Sequence, residues 1–345
     1  MISRREFSKS VLIGSAAMLA KNASGEGSGS AAPQDKPRPA KPPVKRLYGL
    51  IHTPPTPYTA DNRVDTETLQ KLADFLVRHG ADSFSHPMHI GEGIVLNGEE
   101  RRLSAKVVIE AVNGRVPVFI HTSSTGTDQV VELSRHAQSV GADGIVATTP
   151  YYWMPPSSGV LEHFVKVANS VDIAVVAYHN EKAGPLPASI LPEMLRRCPN
   201  LIGLKEAEME ARYMSEVIRL ALPIRPDFAL LGGGEFPLYC MPAGATGCYS
   251  PIGFIAPRLV RDLINACTAG DYKKAWPLQA KVSELTALLA GFYSYSASMA
   301  TMEIVGRPCG NPRLPIPTLD ADAKKRLESA LHKSGILEGE PHGWA

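Results

Sequence analysis

The sequence predicts a parallel α/β barrel, a (β/α)8 TIM barrel with a C-terminal helical extension. Three observations carry that expectation. Short apolar runs alternate with helical stretches eight times between residues 47 and 267. Such alternation argues for a parallel sheet, and eight units argue for a closed barrel over an open one. Three consecutive runs also deliver reactive side chains at or just past their C-terminal ends: Tyr151-Tyr152 after Gly144 to Pro150, Tyr178 after Ile173 to Ala177, and Lys205 after Leu201 to Leu204. That rim is where parallel barrels keep their chemistry. Finally, 345 residues exceed the roughly 250 of a barrel, which leaves room for a leader and an extension.

The elements follow in order. Residues 47–52 read as the first strand, and 66–78 as a helix from the apolar spacing of Leu69, Leu72, Ala73, Phe75 and Leu76. A strand at 83–88 and a helix at 104–112 come next, then a strand at 116–121 and a helix at 128–140. Strand 144–149 precedes helix 161–169, and strand 173–178 precedes helix 188–197. Strand 202–205, helix 213–221, strand 228–231 and helix 235–241 continue the pattern, which strand 247–250 and helix 256–267 complete. Helical segments at 272–292 and 321–332 lie beyond the eighth unit. The barrel is therefore expected over 46–268 and the extension over 269–345.

Residues 1–23 read as a twin-arginine signal peptide. Ser3-Arg4-Arg5-Glu6-Phe7-Ser8-Lys9 precedes a modest apolar stretch, 11–20, that is too short for a comfortable membrane span. The expected location is the periplasm, reached by the twin-arginine route. Residues 24–45, rich in Pro, Ser and Gly, bury nothing and read as a disordered linker. A formal net charge of +2 over the whole chain points to neither nucleic acid nor an anionic membrane surface. The five cysteines are an odd number without CxxC spacing, so buried free thiols are expected rather than a zinc site or a disulfide framework.

An amine ending an apolar strand suggests imine formation with a carbonyl substrate. Desolvation lowers a lysine's pKa, so that part of the population is neutral and nucleophilic. Alone, Lys205 reads more readily as a strand-end lysine that snorkels to solvent, paired with Glu206. Tyr178, on the same rim, changes that balance, because losing water from a carbinolamine needs a group that gives and takes a proton.

These residues sit in a pattern that resembles the dihydrodipicolinate synthase / N-acetylneuraminate lyase family of class I aldolases. The resemblance runs from about Arg46 to Leu337. It rests on Gly203-Leu204-Lys205-Glu206-Ala207, on Tyr178, on Pro150-Tyr151-Tyr152, on Thr56-Pro57-Tyr58, on Gly91-Glu92, and on Gly306-Arg307-Pro308 with Arg313-Leu314-Pro315. It implies Lys205 as the imine lysine, needing no other cofactor, and Tyr178 as the proton-transfer phenol. It also implies that Tyr152 reaches a neighbouring subunit's site, hence a homo-oligomer, dimer or tetramer. The turn Met88-His89-Ile90-Gly91-Glu92 replaces the family's hydroxyl-bearing turn, and the arginine that follows the strand-five tyrosine in dihydrodipicolinate synthases is absent. The substrate is accordingly expected to be a small 2-oxo acid or sugar-derived carbonyl compound, cleaved at a C–C or C–O bond. His89, Ile90, Gly91, Glu92, Thr53 and Tyr249 are the expected substrate-binding residues.

Two rival readings remain. His52, His86, His89, His121 and His179 all fall near predicted strand ends, and with Glu92 and Glu206 they could hold a divalent metal for hydrolysis or isomerisation. Against this, no His-x-His pair marks the first strand and no carboxylate closes the eighth. A non-catalytic periplasmic binding protein is the other reading, but it would need neither Lys205 nor Tyr178. The Gly232-Gly233-Gly234-Glu235 turn is expected to be structural or substrate-facing, with Glu235 capping the next helix.

Overall fold

The computed structural model describes residues 46–344, so the twin-arginine pattern and the 24–45 stretch lie outside the described residues. Eight parallel strands close into one barrel: β1 (Gly49–His52), β2 (Ser83–His86), β3 (Val118–His121), β4 (Gly144–Thr148), β5 (Ala174–His179), β6 (Leu201–Glu206), β7 (Ala229–Gly233) and β8 (Gly247–Ser250). The last pairs back onto the first, with Ile51 opposite Tyr249. Every strand residue is buried, because each strand has the barrel interior on one face and helices on the other. This burial explains why the strands read as near-continuous apolar runs rather than alternating ones.

Helices α1 (Thr66–Arg78), α2 (Gly98–Val112), α3 (Thr127–Ser139), α4 (Ser157–Ala168), α5 (Leu191–Arg197), α6 (Ala211–Ala221), α7 (Pro237–Cys240) and α8 (Pro257–Thr268) form the outer ring. α1 matches its expected bounds, with Asp65 accepting from the Thr68 N–H at its start. α2 begins earlier than the apolar spacing suggested, because Asn97 and Glu100 form a reciprocal capping box. α7 is shorter than the expected 235–241, and Glu235 does not cap it: its carboxylate turns inward to Ile252 and Ser250.

The extension contains α9 (Tyr272–Ala290), α10 (Ser294–Ile304) and α11 (Ala321–Ser334). α10 falls between the two helical segments expected from the sequence. Its residues from Ser296 to Met302 are all buried, so it presents no polar face and no periodic stripe. Fully buried Arg307 ties the extension down: its guanidinium donates to the carbonyls of Phe254, Ile255, Pro341 and Gly343, and lies 4.4 Å from the Phe75 ring centre. All five cysteines are buried free thiols, as expected. No described helix is long and apolar enough to cross a membrane.

Candidate active site

Two apolar clusters define which way each strand residue points. Ile51, Phe119, Val146, Val176, Tyr178, Leu231 and Tyr249 pack inside the barrel. Leu50, Phe84, Ile120, Ala177 and Leu204 pack between barrel and helices. Strict alternation along β6 from Ile202, an inside residue, would send Lys205 outward. A register shift prevents this: Val175 pairs with Leu201 but Val176 pairs with Gly203, so Ile202 is an extra residue. Beyond the bulge Lys205 is level with Tyr178 and points inward. Gly203 permits the close pairing that follows, since a Cβ there would lie 2.6 Å from the Ala229 carbonyl oxygen.

Lys205 is 7 % exposed. Its Nζ lies 3.9 Å from the Tyr178 ring centre and 4.8 Å from that of Tyr249. Burial pulls the amine down to about 7, while Cys248, Glu235 and Glu206 pull it back upward. The alternative of a solvated strand-end lysine paired with Glu206 does not occur. Glu206 points the other way and accepts from the Glu208 and Met209 N–H groups.

The Tyr178 hydroxyl meets His89 Nδ1 at 2.6 Å. Burial pushes this phenol up, and Tyr151 and Tyr295 nearby add to the shift. Burial, with Lys205 beside it, holds the His89 imidazole down at about 4, so the ring is neutral over the physiological range. The inward-facing groups are therefore a partly neutral amine, a phenol and a neutral imidazole sharing one proton with it.

The remaining expected residues are distributed unevenly. Thr53 spends its hydroxyl on the Ser250 carbonyl and so ties β1 to β8. Ile90 packs against the outer cluster, and the Gly91 carbonyl accepts from Thr56 Oγ1. The Glu92 carboxylate accepts from the Arg313 N–H, and burial raises it to about 7. Tyr152 is 86 % exposed and packs on Trp153; within one chain it is not brought to Lys205.

The five rim histidines do not converge. His52 follows outward-facing Leu50 by two residues and is influenced by Arg261 on α8 and by His79 just past α1. His86 shares the outer face with Phe84, and His179 stacks on Tyr213 of α6 at 4.0 Å. Only His89 and His121 lie against Tyr178. Among the described residues no three His, Cys, Asp or Glu side chains could hold a metal ion.

Several residues near the lysine were not legible as site residues. Tyr295, on the unexpected α10, is close enough to raise the Tyr178 phenol and is itself raised by Glu92. Glu235 is fully buried, accepts from the Ile252 N–H at 2.7 Å and from Ser250 Oγ at 3.1 Å, and burial raises its carboxyl to about 8.

Closed barrel, inward lysine and neighbouring phenol fit a lyase or aldolase-type enzyme, and parallel barrels keep their chemistry at the C-terminal rim. The Dihydrodipicolinate synthetase family model matches residues 46–334, and the chain belongs to that family. It is 30 % identical over 294 residues to a 4-hydroxy-tetrahydrodipicolinate synthase of Syntrophus aciditrophicus, covering 84 % of this chain and 99 % of the relative. YagE, a prophage protein of the dihydrodipicolinic acid synthase family from E. coli K12 solved in complex with pyruvate, superposes with a TM-score of 0.78. It is 28 % identical, covering 84 % of this chain and 99 % of that one. The Proteus mirabilis N-acetylneuraminate lyase shares the fold at a TM-score of 0.79 and 24 % identity, covering 85 % of this chain and 100 % of that one.

Proposed function

We propose that this chain is a Schiff-base lyase or aldolase in which Lys205 condenses with the carbonyl carbon of a small 2-oxo acid or sugar-derived substrate. One observation carries the reading: a buried amine, lowered to about 7, lies 3.9 Å from the ring of a phenol that itself shares a proton with a neutral imidazole. The neutral amine adds to the carbonyl and gives a carbinolamine. Tyr178 and His89 pass protons so that water leaves and an iminium forms. The iminium then accepts the electron pair of a breaking C–C or C–O bond. The pyruvate complex of YagE supports a 2-oxo acid, while Ile90 in place of a hydroxyl-bearing residue supports a different fit for the carboxylate end.

Borohydride gives the test. Activity should be lost irreversibly only when carbonyl substrate and borohydride are present together, and a chelator should have no effect. Loss caused by a chelator and reversed by a divalent metal would support the rival metal mechanism instead.

The family's generally oligomeric character and the exposed run Tyr152, Trp153 and Met154 support a homo-oligomer, with Tyr152 of one copy approaching its neighbour's site. Light scattering on the purified protein tests this. The segment Ser3-Arg4-Arg5-Glu6-Phe7-Ser8-Lys9 supports export to the periplasm, and mutating both arginines to lysine should retain the protein in the cytoplasmic fraction.

A further inference from the structure

Tyr249 reaches across the barrel interior. It is an inside residue of β8, level with Ile51 on β1. Its hydroxyl faces that of Ser85 on β2, which is level with inside residue Phe119. Both hydroxyls are buried, and neither closes a hydrogen bond of normal geometry. The ring thus passes Ile51 and presents its face, rather than its hydroxyl, to the lysine. Lys205 Nζ lies over that face, 4.8 Å from the ring centre, and over the Tyr178 ring at 3.9 Å. The two rings come from strands on either side of β6.

The other titratable groups around this amine are engaged elsewhere or uncharged. Glu206 accepts from the Glu208 and Met209 N–H groups. Glu235 accepts from the Ile252 N–H and from Ser250 Oγ, and burial raises its carboxyl to about 8, so it is mostly protonated at neutral pH. The Cys248 thiol donates to the Gly234 carbonyl. His89 and His121 are held neutral by burial. A buried cation without an ion-pair partner is costly. The negative face of an aromatic ring within about 6 Å offsets part of that cost.

We propose that the Tyr249 ring, together with that of Tyr178, forms a two-sided aromatic seat that holds positive charge on the Lys205 nitrogen in place of a carboxylate counter-ion. The same nitrogen is a cation twice, as the resting ammonium and as the iminium that remains when the carbinolamine loses water. Tyr249 acts through Lys205 in both: its face favours the iminium over the neutral carbinolamine, while its hydroxyl, turned to Ser85, takes no part in moving protons. The proposal rests on imine formation at Lys205.

The test alters the ring face and little else. Tyr249→Phe is the reference, set against full chains whose position 249 carries a phenylalanine ring with two or five fluorines. Fluorine first drains and then reverses the negative face at nearly constant shape. Cyanoborohydride trapping with pyruvate and with dihydroxyacetone, read by intact mass across a pH series, gives the midpoint at which the amine becomes reactive and the trapping rate on the plateau. Fluorination is expected to lower the midpoint stepwise, by about half a unit to one unit for five fluorines, and to cut the plateau rate about three- to tenfold. A midpoint and plateau rate equal to the Phe reference would overturn the seat and leave Tyr249 as packing alone. A midpoint that rises would overturn it too, by making desolvation the ring's whole effect. Should the five-fluorine chain not fold, the two-fluorine ring decides by the same two readings. Absence of any adduct in the unmodified chain would remove the seat together with the imine reading beneath it, whereas an adduct indifferent to fluorine removes the seat alone.

Discussion

Tyr178 Oη and His89 Nδ1 share a proton across 2.6 Å, between a phenol near the end of β5 and an imidazole in the turn after β2. Burial makes each poor as an ion, since the phenolate is disfavoured and the imidazolium is disfavoured. Such a pair does not hold charge at rest, and it can pass a proton without a large change in solvation. Tyr178→Phe is expected to lower kcat about 100-fold, and His89→Ala about tenfold, with KM changing by less than about threefold in each. Steady-state kinetics on the best substrate checks this. A KM that rises by the same factor as kcat falls would give the pair a binding role instead.

The pH dependence follows from the amine. Lys205 is nucleophilic only when neutral, and burial sets its pKa at about 7 rather than 10.5. The value of kcat/KM should therefore rise about tenfold per pH unit below 7 and level off above it. Stability carries the same signature: between 7 and 10.5 the unfolded chain binds the extra proton, so this residue's contribution rises with pH across that window. Lys205→Met should then raise stability at pH 7 by about 1 kcal/mol or more while abolishing activity. Urea unfolding at several pH values measures both effects.

Glu235 has the opposite sign. Its carboxyl is raised from 4.5 to about 8, so the folded chain binds the extra proton in that range and stability falls as pH rises through it. Gln is the isostere of the protonated acid and can still accept from Ile252 and Ser250. Glu235→Gln should match the parent at pH 5 and exceed it by about 1 kcal/mol or more at pH 9. Paired urea titrations at the two pH values decide it, and an equal difference at both would contradict a buried, neutral carboxyl.

The extension is fastened to the site through Arg313. Its backbone N–H donates to Glu92, its guanidinium makes a bidentate pair with Glu100 at 2.6 and 2.9 Å, and it lies 4.4 Å from the Tyr58 ring centre. Arg313→Ala should cost about 1–3 kcal/mol, with Arg313→Lys recovering only part because a single ammonium cannot make the fork. Thermal unfolding measures the loss. An unchanged midpoint would mean that the fork contributes nothing.

Much of the fold was legible because parallel strands are short, doubly buried apolar runs and the outer helices keep one apolar stripe. α10 was not, since burial on nearly every side leaves no stripe to read. In the site, Lys205 and Tyr178 were legible from their place at strand ends. The orientation of Lys205 was not, because the bulge at Ile202 is a matter of register between strands. The rim histidines looked alike in sequence. Counting by twos from Phe119 would have turned His121 inward, while counting from Leu50 and Phe84 turns His52 and His86 outward. For Tyr151 and Tyr152 no such count exists. The backbone separates them, with Tyr152 at φ 72° and its side chain in solvent while Tyr151 reaches His121.

Peptide-level mass mapping after borohydride reduction in the presence of pyruvate or dihydroxyacetone tests imine formation at Lys205 most directly. The reduced adduct is expected on the peptide containing Lys205 and on no other, and it should disappear in Lys205→Ala. An adduct carried by a different lysine, or one that persists in Lys205→Ala, would contradict the assignment.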